Sequence, residues 1–492
     1  MIGGDVARTE EPRSVAAAAS TRRPAVVIAG LSLVVLTVAV LQTAVVPVLG
    51  VIAAQLHTSL VAVSWAVTAN LLAAAAATPL IGRLADLYSK KWVLLGVLAV
   101  VLAGSVLAAT TASVALLIVA RVLQGASYAL YPISIAILRD ELPEDRMVGA
   151  MAVLSGTLGF GGGTGLVVTG VLMSGDAGYH RVFWLTTAFT VVVIVVAALV
   201  VPDRRPATTG AIDWLGALGL AGGLSAVLLA VTQGTSWGWT APATLGCLGG
   251  GAAILVGWWC WERRVEHPLV STEMLARRPI LLTNLATVFV GMGLYFAFLG
   301  LTQFVQMSRE HAGYGFGATV LQASVYFLLP GALAGFVVAL VSGRFIDRFG
   351  ARRVLAVASV AGIVGFVMLA VAHDRVWQVI VASVLANAYI SLGYGALPAL
   401  VVSEVDAGQT GVATSMNAIA RTIGSSVAAA LVALLLGHAV IPAESSFVTI
   451  FLAGAGTAAL AMALIAVSRA PDRHRDTAEA RSGALEMNHE WG

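Results

Sequence analysis

Gly82-Arg83-Leu84-Ala85-Asp86-Leu87-Tyr88-Ser89-Lys90-Lys91 returns in altered form as Gly343-Arg344-Phe345-Ile346-Asp347-Arg348-Phe349-Gly350-Ala351-Arg352-Arg353. In both copies Asp follows the opening Gly by four residues, and a basic residue (Lys91 or Arg352) follows it by nine. Each copy lies in a short basic loop between two long apolar segments. One G-x-x-x-D beside basic residues arises easily by chance. Two, once in each half of a hydrophobic chain and in the same context, point to a duplicated helical bundle and a two-fold transporter architecture.

The chain around these loops is a membrane protein by composition. Apolar residues make up 59% of its 492 positions and charged residues 11%, against about 25% charged in soluble domains. Mean hydropathy is +0.92. A soluble fold has no interior large enough for so much apolar side chain. Cys247 and Cys260 fall in one apolar segment, which excludes a disulfide framework or a cysteine metal cluster. A net charge of +3 gives no reason to expect nucleic acid. No cofactor is expected, and the partners expected are a small-molecule substrate, protons and the lipid bilayer, with the chain acting as a monomer.

Roughly fourteen apolar runs are long enough to cross a ~30 Å hydrocarbon core. Six begin near Ala25, Val61, Val93, Ser113, Val148 and Val182; a central pair near Ile212 and Ala243; and six more near Ile280, Ala318, Val354, Trp377, Val412 and Phe447. The expected fold is therefore all-α and integral to the membrane: two pseudo-symmetric six-helix bundles, residues 24–201 and 280–470, joined by a linker, residues 202–279, that holds the extra pair. Residues 1–23 and 471–492 read as disordered polar tails on the cytoplasmic side. The first span is too long in its apolar run for a cleavable signal peptide.

Basic residues set the orientation. The two tails and the loops after spans 2, 4, 6, 8 and 10 hold 23 of the 28 Lys and Arg, whereas the opposite loops hold only Arg181, Arg309 and Arg375. That bias places both termini and both repeated loops in the cytoplasm of a plasma-membrane protein.

These residues carry a family resemblance. Gly82 to Lys91 resembles the span 2–3 signature of the major facilitator superfamily, with Leu87 and Ser89 where Arg and Gly are usual. Arg121-Val122-Leu123-Gln124-Gly125 resembles its R-x-x-x-G signature in span 4. Asp213-Trp214-Leu215-Gly216, Trp237-Gly238-Trp239, Glu262 and Pro268-Leu269 are similar to the linker pair of the fourteen-span drug:proton antiporter branch. The resemblance covers essentially the whole membrane part. It implies two six-helix bundles around a central cavity, alternating between inward- and outward-open forms, with the extra pair outside.

Within this frame the repeated loops read as a cytoplasmic gate formed by Gly82, Asp86, Lys90 and Lys91 and by Gly343, Asp347, Arg352 and Arg353. Both Asp residues stand near the N-termini of the helices that follow, where the macrodipole favours an anion, and within reach of basic groups across the bundle interface. Ordinary helix-terminal anions with positive-inside bases would show the same pattern. Span 5 is dominated by Gly159, Gly161, Gly162, Gly163 and Gly165, read as helix-packing positions. The antiporter signature is matched there only in part, because Leu166 follows Gly165 where a Pro is usual.

None of the 25 acidic residues and none of the eight His lies deep in a span; the deep charges are Arg121 in span 4 and Arg421 in span 13. A charge at mid-membrane costs roughly 2.5–3.5 kcal/mol on insertion scales, which makes both functional candidates. Satisfaction by helix carbonyls is the alternative for each. Arg121 lies roughly 12 Å below the outer end of its span, level with Gln42 in span 1, where related antiporters often carry an Asp. Gln42, Arg121, Gln124, Gly125 and Arg421 are the transport and coupling candidates. Two buried positive charges without a carboxylate disfavour lipophilic cations and suit neutral or anionic amphipathic compounds. Asn70, Asn284, Gln303, Gln306, Asn387 and Asn417, with Trp65, Tyr128, Tyr131, Tyr295, Phe296 and Tyr394, offer further polar and stacking groups for a large apolar pocket. No nucleotide-binding P-loop and no catalytic cluster occurs, so an enzyme is not expected. The leading reading is a proton-driven exporter of drugs, antibiotics or secondary metabolites. An importer of the same fold and a non-transporting sensor are the alternatives.

Overall fold

The computed structural model describes residues 24–45, 48–58, 60–173, 178–204, 211–266, 268–436 and 442–468. Both tails assigned from sequence lie outside the described residues. Among the described residues fourteen helices are long and apolar enough to cross a membrane. In the first half these are α1 (Pro24–Thr43), α2 (Trp65–Leu87), α3 (Lys90–Thr110), α4 (Val114–Glu141), α5 (Arg146–Leu172) and α6 (His180–Val200). The central pair is α7 (Trp214–Trp237) and α8 (Pro242–Glu262). The second half contains α9 (Arg278–Gln306), α10 (Ala323–Phe349), α11 (Ala351–Val371), α12 (Val376–Val402), α13 (Thr410–Leu436) and α14 (Glu444–Val467). Large apolar side chains such as Trp92, Leu199, Leu218, Val256, Val357 and Val371 point outward and are exposed. Hydrocarbon is the solvent in which that exposure carries no penalty.

The halves repeat each other. α1 packs on α5 and α6 as α9 packs on α13 and α14; α2 packs on α4 as α10 packs on α12; α3 packs on α4 and α6 as α11 packs on α12 and α14. Between the halves, α2 meets α13 and α5 meets α10, an exchange of equivalent helices across a pseudo-two-fold axis. α7 lies against both α2 and α13, so it covers that side of the junction, and α8 packs outside it on α7. The Gln233 amide donates to Thr68 Oγ1 of α2 at 3.1 Å, and the Trp237 ring lies 6.5 Å from Trp65. At the foot of the pair, Asp213 caps α7 by accepting the Gly216 N–H at 2.8 Å. The same carboxylate accepts from the Trp261 indole, and Trp258 donates to the buried Glu262. Of the linker residues that carried the resemblance, Asp213 thus fastens α7 to α8.

Helix contacts at several crossings are made backbone to backbone. A Cβ at Gly291 of α9 would overlap the Arg421 carbonyl, and one at Gly424 of α13 would overlap the Val288 carbonyl. Without a hydrophobic driving force between helices in lipid, such close approach supplies the packing energy. Gly424→Ala is expected to destabilise the protein by about 1–3 kcal/mol, seen as a lower melting temperature in detergent. Gly96→Ala, where nothing lies within 4 Å, should melt like the parent.

Candidate functional site

Asp86 occupies the last turn of α2, where its own helix dipole opposes a negative charge. It is nevertheless almost fully buried, at 2% exposure. Its carboxylate accepts the backbone N–H groups of Gly411 at 2.9 Å and Val412 at 3.0 Å, at the first turn of α13. Those N–H groups are among the donors a helix start leaves without internal partners. The macrodipole that stabilises Asp86 therefore belongs to α13 in the other bundle. This corrects the expectation that it would belong to the helix after the loop: by the time the chain turns into α3, the Asp86 side chain already points into the α2–α13 crossing. The crossing requires Gly82, whose Cβ would sit 2.9 Å from the Gly411 carbonyl, and Gly411, whose Cβ would sit 2.7 Å from the Gly82 carbonyl.

The loop bases act within their own bundle. Lys90 pairs with Asp140 at the end of α4, and Lys91 donates to the Ala198 carbonyl at the end of α6. Ser89 and Trp92 donate to Asp203, which holds that exposed carboxyl below its usual pKa. The base that crosses between bundles is one the sequence analysis did not single out. Arg139, on the last turn of α4, donates to the carbonyls of Val405 at 2.7 Å and Asp406 at 3.2 Å and to Thr410 Oγ1. It grips the loop leading into α13. Its signal in sequence is slight: a cytoplasmic-end Arg looks like any positive-inside base.

The second repeat makes the equivalent helix crossing with different polar chemistry. A Cβ at Gly343 of α10 would overlap Gly149 of α5, so backbone meets backbone as at Gly82 and Gly411. Asp347 is exposed where Asp86 is buried; Arg352 is half-buried and Arg353 exposed. The α5 glycines divide their work. A Cβ at Gly161 or Gly165 would press on Ala39 or Thr43 of α1, and one at Gly163 would press on Ala332 of α10, while Gly159, Gly162 and Gly163 also line a cavity.

That cavity lies between the bundles and has roughly 1200 Å³ of space free of protein atoms, part of it open to solvent. α1, α2, α4, α5 and α9–α13 all contribute, with Gln42, Thr43, Tyr128, Tyr295, Asn387 and Arg421 among the polar lining residues. Among the described residues Arg421 is the one charged residue lining it, and no Asp or Glu does so. Its lining runs from mid-span to the halves of the helices remote from the basic loops.

The two buried arginines have different surroundings. Arg121 is absent from the cavity wall. It donates to the carbonyls of Leu41 at 3.3 Å and Ala66 at 3.4 Å and to Gln124 at 2.6 Å, and Gln124 in turn donates to Ser105. Leu41 lies in the last turn of α1, where carbonyls lack intrahelical donors. Gly125 lets α4 approach the Asn70 carbonyl of α2, and the Asn70 amide donates to the Arg121 carbonyl. Arg421 has instead its Cζ 4.9 Å from the ring centres of both Tyr131 of α4 and Tyr394 of α12, within cation–π range.

The same two tyrosines join the bundles by hydrogen bonds. Pro398 has no N–H, so it cannot pair with the carbonyl four residues earlier, that of Tyr394. Tyr131 Oη and Ser155 Oγ donate to that carbonyl at 3.2 and 2.7 Å. The remaining polar candidates serve within bundles: Asn417 donates to Asn284 and Thr287, Gln306 to the Thr302 carbonyl, and Phe296 is core. Gln303 is exposed. Among the described residues no group of three or more His, Cys, Asp or Glu is placed to hold a metal ion.

Polar contacts at the two faces differ in kind. At the basic-loop face, Asp86 and Arg139 tie one bundle to the other. At the opposite face, Tyr179 to Thr111, Arg309 to Asp374, His373 to Glu444 and Tyr314 to Pro442 each stay within one bundle. Among the described residues, the polar contacts named at the basic-loop face join the bundles, and the cavity lining lies toward the other face.

The sequence model of the Major Facilitator Superfamily matches residues 31–214 and 207–429. The chain is 30% identical over 351 residues, 68% of its length and 71% of the relative's, to the uridine/deoxyuridine transporter of Lactococcus lactis subsp. cremoris. It is 26% identical over 387 residues, 76% of its length and 69% of the relative's, to a multidrug resistance protein B homolog of Mycobacterium tuberculosis. The crystal structure of the human organic anion transporter MFSD10 (TETRAN) superposes with a TM-score of 0.63 at 15% identity, covering 90% of this chain and 99% of that one.

Replacing Asp86 by Asn removes the charge from two bonds, each worth about 1.5–3 kcal/mol with a charged acceptor. The closed form should lose at least about tenfold of its weight. Cysteine probes at the α2–α13 crossing should label faster, with normal insertion. Asp347→Asn, at an exposed site, should change labelling less.

Proposed function

The chain belongs to the Major Facilitator Superfamily, and we propose that within it this transporter is a secondary-active exporter of drugs, antibiotics or secondary metabolites, driven by proton antiport. The observation that carries the reading is the cavity between two pseudo-symmetric bundles, closed on one face by ties that consist of a few hydrogen bonds. The positive-inside bias supports placing the closed face in the cytoplasm, and on that reading the structure is an outward-facing form in the plasma membrane. A large, mostly apolar wall with a few polar groups suits varied amphipathic compounds. The extra α7–α8 pair resembles the fourteen-span antiporter branch, and a multidrug resistance homolog is among the relatives.

The contacts support alternating access. In the outward-facing form Asp86 and Arg139 hold α13 against the first bundle, and Tyr131 and Ser155 hold α12. Releasing these ties while the opposite ends of the helices close moves the cavity to the other face. The Gly82–Gly411 and Gly149–Gly343 crossings supply the smooth backbone surfaces on which such rocking turns. Among the described residues Asp86 and Glu262 are the carboxylates buried at span ends, and no carboxylate lines the cavity. Proton coupling therefore uses an interfacial acid, water beside the buried arginines, or the substrate's own acid group. Arg421 on the wall gives the substrate preference its direction, toward neutral or anionic compounds over cations.

One relative favours a second reading. Similarity to a uridine/deoxyuridine transporter supports a nutrient importer for small neutral polar solutes.

Efflux from cells expressing the chain should collapse when an uncoupler abolishes the proton gradient; efflux that continues unchanged would reject proton drive. In the same cells, acidic aromatic antibiotics should be exported in preference to ethidium-like cations. Export of cations alone would reject the charge preference, and uridine uptake without any efflux would favour the importer.

A further inference from the structure

We propose that Arg421 and the phenol hydroxyls of Tyr128, Tyr295 and Tyr394 form a carboxylate-binding subsite on the cavity floor, and that a carboxylate bound there loosens the bundle contact made by Tyr131 and Tyr394. The inference rests on reading the cavity as the substrate site.

The floor holds hydrogen-bond donors in excess. Arg421 is 8% exposed, lines the cavity, and has five N–H donors and no acceptor. It lies against two aromatic faces, 4.9 Å from each ring centre. Ring faces attract a guanidinium more weakly than a carboxylate does, since a carboxylate accepts two parallel N–H bonds. The Tyr394 hydroxyl is buried, with 4% of the residue exposed, and has no hydrogen-bond partner. Tyr128 and Tyr295 line the same floor. No acidic lining residue competes for these donors. Arg121 does not join the subsite, because the Leu41 and Ala66 carbonyls and Gln124 already engage it. A ligand that answers this floor brings two acceptor oxygens and a negative charge, on an apolar body that fits the wall.

Coupling follows because recognition and closure share side chains. Tyr131 belongs to the first bundle and Tyr394 to the second, and Tyr131 Oη donates to the Tyr394 carbonyl that Pro398 leaves without its helical partner. Arg421 lies against both rings at this junction. A carboxylate that draws the guanidinium into the cavity takes away the cation–π contacts and leaves the two hydroxyl–carbonyl bonds to hold the junction alone. Acid binding therefore favours release of the basic-loop face.

The test uses the full-length chain, purified in detergent with Cys247 and Cys260 replaced by Ala and with Ser342→Cys as reporter. Ser342 is wholly buried where α10 and α12 meet Ala152 of α5, so its labelling by a maleimide reads opening of the junction. 2-Naphthoate should raise the labelling rate several-fold, and the isosteric neutral 2-naphthamide should not. Arg421→Gln should label faster without ligand and show no response to naphthoate. Tyr394→Phe keeps the ring and tests the hydroxyl if the first variant does not fold: labelling without ligand should stay at the parent level, while naphthoate acts only at higher concentration. Equal effects of naphthoate and naphthamide, no response to naphthoate, or a normal response in either variant would overturn the proposal. The readout needs no transport. A chain that responds to naphthoate yet exports nothing keeps the subsite and loses the exporter reading.

Discussion

Hydrocarbon offers no hydrogen-bond partner, so every break in a membrane helix must be answered by the protein itself. In this molecule the answers lie where the bundles meet. The orphan N–H groups at the start of α13 are taken by Asp86 of α2. The Tyr394 carbonyl, opposite the missing N–H of Pro398, is taken by Tyr131 and Ser155. The Leu41 carbonyl near the end of α1 is taken by Arg121. Two of these three answers cross from one bundle to the other, and both can be withdrawn only if something else satisfies the freed groups. In the proposed transport cycle a gate would consist of this: a helix end or a proline held by a partner that water replaces when the face opens.

The duplicated architecture does not make the two halves chemically equal. Gly82 against Gly411 and Gly343 against Gly149 are equivalent crossings in geometry. On one of them Asp86 is sealed from solvent, α7 lies over the junction, and Arg139 grips the approaching loop. On the other, Asp347 is exposed. The sealed side carries the Asp86 and Arg139 ties, and the other side carries the packing of the α5 glycine face against α10. An asymmetric latch on symmetric bearings lets a small change at one junction bias the whole bundle pair, because packed helices slide between discrete arrangements.

The two intramembrane arginines show how context gives one residue type different surroundings. Arg121 is enclosed by carbonyls and Gln124 and joins α4 to α1 and α2. Arg421 faces space and rests on aromatic rings. The first has its charge compensated by dipoles, and the second retains the capacity to bind an anion.

The sequence alone was sufficient for the fold. Apolar run lengths set fourteen spans, the duplicated Gly–Asp loops placed them in two repeats, and the helix periodicity needs no tertiary information when lipid forces every backbone group to pair locally. It also marked Gly82 and Asp86, because their motif recurs in the second half, and Arg121 and Arg421, because a charge within a membrane span is costly. Tertiary structure alone decided which helix end Asp86 caps, since the N–H groups it meets lie 325 and 326 residues away. It also decided that Arg139 crosses the bundles, that Lys90 and Lys91 do not, and that Arg421 rather than Arg121 reaches the cavity. These are distinctions of direction: residues of the same type at similar depth differ by the helix face they occupy and the neighbour opposite, and in lipid an apolar stripe facing hydrocarbon reads the same as one facing another helix.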